Sequence, residues 1–170
     1  MRLAKLATRV LIGGLFVGHG TQKLKGWFGG PGLEGMSAGM EQMGMHPPRR
    51  NALAAGYSET VGGALLALGL FTPLSASMLT GTMLVAIKKV HLANGAWVSN
   101  GGWEYNAVLI AAVLALAEDG PGALSLDHAF GIERPGAASA LAAAAVGAVA
   151  AYGALEAAKA ATPSGGAHSA

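Results

Sequence analysis

Hydrophobic residues in this chain fall into long, nearly uncharged runs separated by short polar or Gly/Pro-rich breaks. The runs are continuous rather than alternating, which is the pattern of buried or lipid-facing helices and not of half-buried strands. The first covers Leu6–Leu24, with an apolar centre at Val10–Gly18, Arg9 at one edge and His19, Gln22 and Lys23 at the other. Arg2, Lys5 and Arg9 ahead of an apolar stretch also fit a secretory signal. No small-residue cleavage site follows, however, and further apolar runs do, so an uncleaved helix is expected. A Gly/Pro/Met-rich connection, Gly26–Arg50, leads to the second run, Asn51–Phe71. Thr72-Pro73 breaks it, because proline has no N–H to give to a helix. The third run, Leu74–Leu92, is then the second arm of a tight hairpin. A polar loop, Ala93–Gly102, precedes the fourth run at about Glu104–Leu116. Its uncharged core, Tyr105–Ala117, is short for a bilayer and is ended by Glu118-Asp119-Gly120-Pro121-Gly122. Pro135–Leu155 is a fifth uncharged run, 21 residues long and mostly alanine.

Composition explains what such runs are for. A membrane helix needs about 20 mainly apolar residues, and only helices and closed barrels can satisfy their backbone groups in lipid. Here AVILMFWYC make up 52% of 170 residues and DEKR only 12%, against about 25% charged residues in a soluble domain. Mean hydropathy is +0.46. Such a chain cannot cover its own surface with polar groups, and it is too hydrophobic for disorder. With no cysteine, disulfide scaffolds, zinc–thiolate sites and thiol redox chemistry in this chain are excluded. The net charge of +2 is small and its basic residues are scattered, so no nucleic-acid partner is expected. The fold class that follows is all-α: a polytopic membrane four-helix bundle over 1–131, an Ala-rich C-terminal helix over 132–161 that spans the membrane, and a disordered tail over 162–170. Small residues in the second and third runs, notably Gly56, Gly62, Gly63, Gly69, Ser77 and Gly81, favour close helix packing. Ser77-x-x-x-Gly81 has the small-xxx-small spacing.

The few charges then carry most of the information. Consecutive spans run antiparallel, so the end of the first, the start of the second, the end of the third and the start of the fourth share one side. That side collects His19, Gln22, Lys23, Glu59, Lys88, His91, Glu104 and Asn106. At about 1.5 Å per residue, His19 lies roughly 8 Å before Leu24, Glu59 roughly 12 Å after Asn51 and Lys88 roughly 6 Å before Leu92. Faces agree as well: His19 and Lys23 are i,i+4, and Lys88 and His91 are i,i+3. Arg9 returns to the face of Lys23 after 14 residues. Glu59 is the residue on which a site would centre, since an intramembrane carboxylate faces protein or water and pairs. Its expected partner is Lys23, Lys88 or Arg9. Two readings stay open: an ion pair that fixes helix register, and a polar pocket for a ligand or proton.

Other features are duller. His19 and His91 read as core or interfacial histidines, so neither a haem nor a metal is expected. Lys89 reads as a lysine that snorkels to the headgroups. Trp27, Trp97 and Trp103 flank the spans as interfacial anchors do, with Trp103 beside Glu104 also able to line a pocket. Met36, Met40, Met43, Met45 and His46 offer soft donors of the kind that suit Cu(I). The helical spacing of the first three equally suits an amphipathic interfacial or re-entrant segment. Arg2, Lys5 and Arg9 favour a cytoplasmic N-terminus.

Several of these residues recur in short motifs. Arg9 and Gly18-His19-Gly20-x-Gln22-Lys23-Leu24 lie in the first run, and Glu59-x-x-Gly62-Gly63-x-x-Leu66-x-Leu68-Gly69-Leu70-x-Thr72 in the second. Lys88 and His91, Gly102-x-Glu104-Tyr105-Asn106, and Gly120-Pro121-Gly122-Ala123-Leu124-Ser125-Leu126-Asp127 follow. In order and spacing they resemble the DoxX family of small bacterial membrane proteins, from about Leu6 to Gly131. The resemblance implies a four-helix bundle in the bacterial inner (plasma) membrane. It also implies association with redox complexes: relatives are linked to thiosulfate:quinone oxidoreduction, others to a membrane complex with superoxide dismutase and a sulfurtransferase. The expected function is thus a quinone-associated subunit of an oxidoreductase complex, with lipid, redox proteins and a small molecule as partners. The cofactor is left open, with a quinone as one candidate. The alternative is a non-enzymatic membrane scaffold or small-ligand-binding protein.

Overall fold

The computed structural model describes residues 2–162. The remaining part of the expected disordered tail, 163–170, lies outside the described residues. All secondary structure within them is helical: α1 (Arg2–Lys25), α2 (Gly32–Gln42), α3 (Pro48–Leu68), α4 (Thr72–Ala86), α5 (Glu104–Asp119), α6 (Leu126–Ala129) and α7 (Ala137–Ala160). The all-α expectation holds, and the elements sit close to the apolar runs that predict them. By length and hydropathy alone, one described helix, α7, is able to cross a membrane. Of the others, α4 and α5 are short, at 15 and 16 residues, and α1 and α3 carry Arg9, Lys23 and Glu59.

The tightest seam joins α1 to α3, and glycine makes it. A Cβ on Gly13 would stand 2.5 Å from the Gly63 carbonyl oxygen, and one on Gly63 would stand 2.6 Å from the Gly13 carbonyl oxygen. One turn-pair further along, a Cβ on Gly20 would meet the Gly56 carbonyl oxygen at 2.7 Å. Backbones this close exchange dispersion contacts along their whole length. The α3–α4 hairpin turns at Gly69, whose positive φ of 63° closes the helix, with Leu70 N–H donating to the Leu65 carbonyl at 2.9 Å. Ser75 Oγ–H donates across it to the Gly62 carbonyl at 2.7 Å. A core of Phe16, Leu66, Leu79, Val113 and Leu116 fills the space among α1, α3, α4 and α5.

Two regions gain definition and one expectation is corrected. The alanine-rich segment joins the bundle: α7 packs on α4 and α5 and contributes Ala143 to the same core. The small-xxx-small pair is what admits it, because a Cβ on Gly147 would lie 2.8 Å from the Ser77 carbonyl oxygen and one on Gly81 3.1 Å from that of Gly147. The Gly26–Arg50 connection contains a helix, α2, that rests on α1 and α3 with Met40 and Met45 buried. This is the amphipathic segment its methionine spacing predicts. The third run is not α-helical to Leu92. It loosens at Ile87–His91 into a wide π turn and then a short 3₁₀ turn. Widened turns of this kind recur at functional sites.

Candidate functional site

Glu59 occupies the middle of α3 and is 3% exposed. Its Oε2 receives a hydrogen bond from Lys23 Nζ, in the last turn of α1, at 2.5 Å. The Lys23 side chain is 21% exposed, so the pair is buried on the carboxylate side and partly open on the ammonium side. The Gly20–Gly56 contact in the α1–α3 seam brings the two helices close one turn away from the pair. Of the three partners predicted for Glu59, Lys23 is the one that meets it.

Two cavities border this pair. The larger, about 450 Å³, lies among α2, α3, α4, the π turn and α7. Met36, Met40, Met43, Met45 and Met78 line it, with alanines of α3 and α7 (Ala54, Ala55, Ala150 and Ala154) opposite. Thioether side chains adapt their shape to what they enclose, and alanine walls are what leave the volume. Its polar fittings are few. Thr82 Oγ1–H donates to Ser58 Oγ at 2.8 Å, and Lys89 Nζ donates to the Met43 carbonyl at 3.0 Å. The smaller cavity, about 280 Å³, lies on the α5 side and includes His19, Asn106, Met83 and the loop glycines Gly101 and Gly102. Lys23, Glu59, Ala86 and His91 line both.

Five of the nine predicted site residues therefore gather: Glu59, Lys23 and His91 at both cavities, and His19 and Asn106 at the second. His91 Nδ1 is 2.7 Å from the Gly101 carbonyl, which can only accept, so Nδ1 is the donor. The Asn106 amide is 3.3 Å from Met83 Sδ. Four predicted residues do not join. Gln22 stays on the α1 surface, its Oε1 3.1 Å from His19 Nδ1. Lys88 is exposed and borders neither cavity. Glu104 accepts the Val98 amide at 2.6 Å and closes its own loop. Arg9 is the largest error. It shares a helical face with Lys23 but stands about 21 Å further along the axis, at the other end of the bundle.

There Arg9 is fully buried and donates to the Leu124 carbonyl at 2.5 Å. Its neighbour Asp127 accepts the Phe71 and Thr72 amides at 2.7 and 3.0 Å and the Thr72 hydroxyl at 2.7 Å. Asp127 thus caps the first turn of α4 from a distant part of the chain and holds Phe71 at its positive φ of 47°. A Cβ on Gly69 would overlap the guanidinium, so no space remains for a ligand.

Sequence reasoning missed Lys89 and Asp127 as functional or structural centres. Lys89 looks like a lysine at a span end until the π turn rotates it into the larger cavity. Asp127 sits in a motif quoted for resemblance alone, and its role needs the hairpin beside it. Among the described residues no group of three His, Asp or Glu side chains converges as a metal site. The methionine cavity carries Lys23 and Lys89 against the single carboxylate of Glu59, a charge balance that disfavours a cation.

Comparison with known proteins adds one match. The DoxX family model covers residues 4–92, just over half the chain, from the first turn of α1 through the π turn. Glu104, Asn106, Asp127 and the α7 wall lie beyond it. No curated protein and no solved structure matches the chain.

Proposed function

The chain belongs to the DoxX family, generally small membrane proteins, and we propose that it is a multi-pass inner-membrane protein with its N-terminus in the cytoplasm. In this reading α1, α3, α4 and α5 form the membrane bundle and α7 is a fifth span. Side chains that a soluble protein would hide support it: Val10, Leu11 and Leu15 of α1, Val61 of α3, Val108 of α5 and Val149 of α7 all face outward. Contiguous apolar surface on several helices is what lipid would cover.

Within the membrane the protein acts as a redox-linked subunit that holds a quinone-type molecule. The observation that carries this reading is the Lys23–Glu59 pair at the wall of a methionine- and alanine-lined cavity of about 450 Å³. A mostly apolar pocket with few convergent polar groups is the usual form of a small-molecule site. Lys23 supplies a donor for a ring carbonyl, Glu59 an acceptor for a ring hydroxyl, and the methionines a surface for the ring and the start of its tail. The electrons come from and go to partner proteins of the same complex.

The test is binding of decylubiquinone to the purified protein in lipid nanodiscs. Saturable binding that falls at least tenfold in both Glu59→Gln and Lys23→Ala supports the reading, and unchanged binding in both overturns it. A second reading, a scaffold or non-enzymatic ligand binder, has its own support: the same ion pair ties α1 to α3 beside their glycine seam. It predicts that Glu59→Gln lowers the melting temperature while no quinone binds to either form.

A further inference from the structure

One side of the methionine cavity opens between two helices that do not close on each other. Helices α3 and α7 each pack along α4 but share no extended seam of their own. At the C-terminal end of α7 the gap between them is plugged, because Met40 and Met45 form one buried cluster with Ala52 of α3 and Ala158 of α7. Beyond the plug the cavity reaches the surface between them. Its floor there is α4, with Met78, Gly81, Thr82 and Val85 in the lining. Its two lips are alanines: Ala54 of α3 and Ala150 of α7 line the cavity and are exposed. Larger side chains flank them, Tyr57 and Val61 on α3 and Val149 and Tyr152 on α7, all exposed and none lining the cavity. The outer surface thus dips from Tyr and Val to methyl groups in front of the cavity. A second edge lies at the π turn, where Val90 is exposed.

Depth decides what the alanine lips face in the multi-pass reading. Ala54 lies about 9 Å along α3 from Pro48, and Ala150 about 15 Å before Ala160, both counted from the same membrane side. One leaflet's hydrocarbon is about 15 Å deep, so the lips stand within it and face acyl chains. We propose that the gap between α3 and α7 is a lateral entrance from the bilayer, through which a quinone with a long apolar tail enters the methionine cavity head first. The head reaches the Lys23–Glu59 pair, where two lysines against one carboxylate suit acceptor oxygens and no positive charge. The tail lies between Ala54 and Ala150 and continues into lipid, since leaving by the π-turn edge would carry it into water. This rests on the quinone reading and adds to it a route of entry and a tail as part of what is recognised.

The chain's lack of cysteine makes the entrance measurable without any quinone. Ser58→Cys, inside the cavity, and Val149→Cys, on the outer face of α7, are each labelled with bimane and placed in nanodiscs of phospholipid brominated along its acyl chains. Quenching at Ser58→Cys at least half as strong as at Val149→Cys is the expected result, with at least a threefold fall at Ser58→Cys when Ala54→Phe and Ala150→Phe fill the lips. Weaker quenching, or a smaller fall, overturns the entrance. Val85→Cys, on the α4 floor, replaces Ser58→Cys should that variant fail to fold. In unlabelled protein the same two phenylalanines should slow decylubiquinone association at least tenfold, while Val61→Phe with Val149→Phe leaves it unchanged. Association unaffected by the filled lips overturns the route. Absence of decylubiquinone binding together with the expected quenching would defeat the quinone reading and leave a lateral opening that admits lipid chains.

Discussion

Helix α1 carries two cations into the protein, fourteen residues apart on one face, and the protein treats them in opposite ways. Arg9 is wholly enclosed, its guanidinium set against Gly69 and the Leu124 carbonyl. Lys23 keeps a fifth of its side chain accessible and meets Glu59 where two cavities touch. Near Arg9 two polar groups secure helix ends: Asp127 caps α4, and Lys5 donates to the Asp119 carbonyl at 2.7 Å. Around Lys23 the neighbouring groups stand at open space. A buried charge packed on all sides fixes architecture; a buried charge at the edge of a cavity is free to meet something else.

The sharpest way to break this contrast is at the closed end. Asp127→Ala removes three hydrogen bonds from the start of α4. At about 1.5–3 kcal/mol for each hydrogen bond to a charged group, the expected cost is upward of about 4 kcal/mol, read by unfolding in mixed micelles, with quinone affinity per folded molecule unchanged. If affinity fell in parallel, the two ends would not be independent. At the open end Glu59→Gln should cost less, about 1.5–3 kcal/mol for one charge-assisted hydrogen bond, yet remove most binding. Ala154→Phe probes the chamber without touching the pair. Its ring enters open volume and not packed atoms, so stability should shift by less than about 1 kcal/mol while decylubiquinone binding falls at least tenfold. Equal binding in Ala154→Phe would place the ligand elsewhere. Smallest is Arg49→Ala, which deletes the exposed ion pair with Glu34 on α2. Calorimetry should detect no loss of stability, and binding should hold.

The sequence reveals the open end better than the closed one, for a physical reason. Apolar runs and their breaks give helix order, and antiparallel order places His19, Lys23, Glu59, His91 and Asn106 on one side without any knowledge of packing. Periodicity also predicts that Arg9 and Lys23 share a face. A face is an angle, however, and depth along the axis is a separate coordinate, which is why Arg9 was expected among the wrong partners. Features that arise only from contact were invisible. The π turn that swings Lys89 inward depends on what α4 meets at its end. The cap from Asp127 joins residues 55 positions apart. The role of α7 hangs on Gly147 finding Ser77 and Gly81, a fit that composition registers merely as an excess of small residues.

The carbonyl that receives the Arg9 guanidinium is 115 residues away along the chain, and that separation sets a timetable for biogenesis. In the multi-pass reading proposed above, α1 enters the membrane first, while Leu124 and Asp127 are still to be translated. At about 5–20 residues per second, the arginine waits roughly 6–23 s for them. During that interval its charge must stay near a headgroup or a translocon wall, and α1 must sit shallower than in the finished protein. On that reading the last stretch synthesised before α7 draws the first helix to its final depth, so a chain stopped after Leu92 would hold every residue of the family match with its leading helix still out of place.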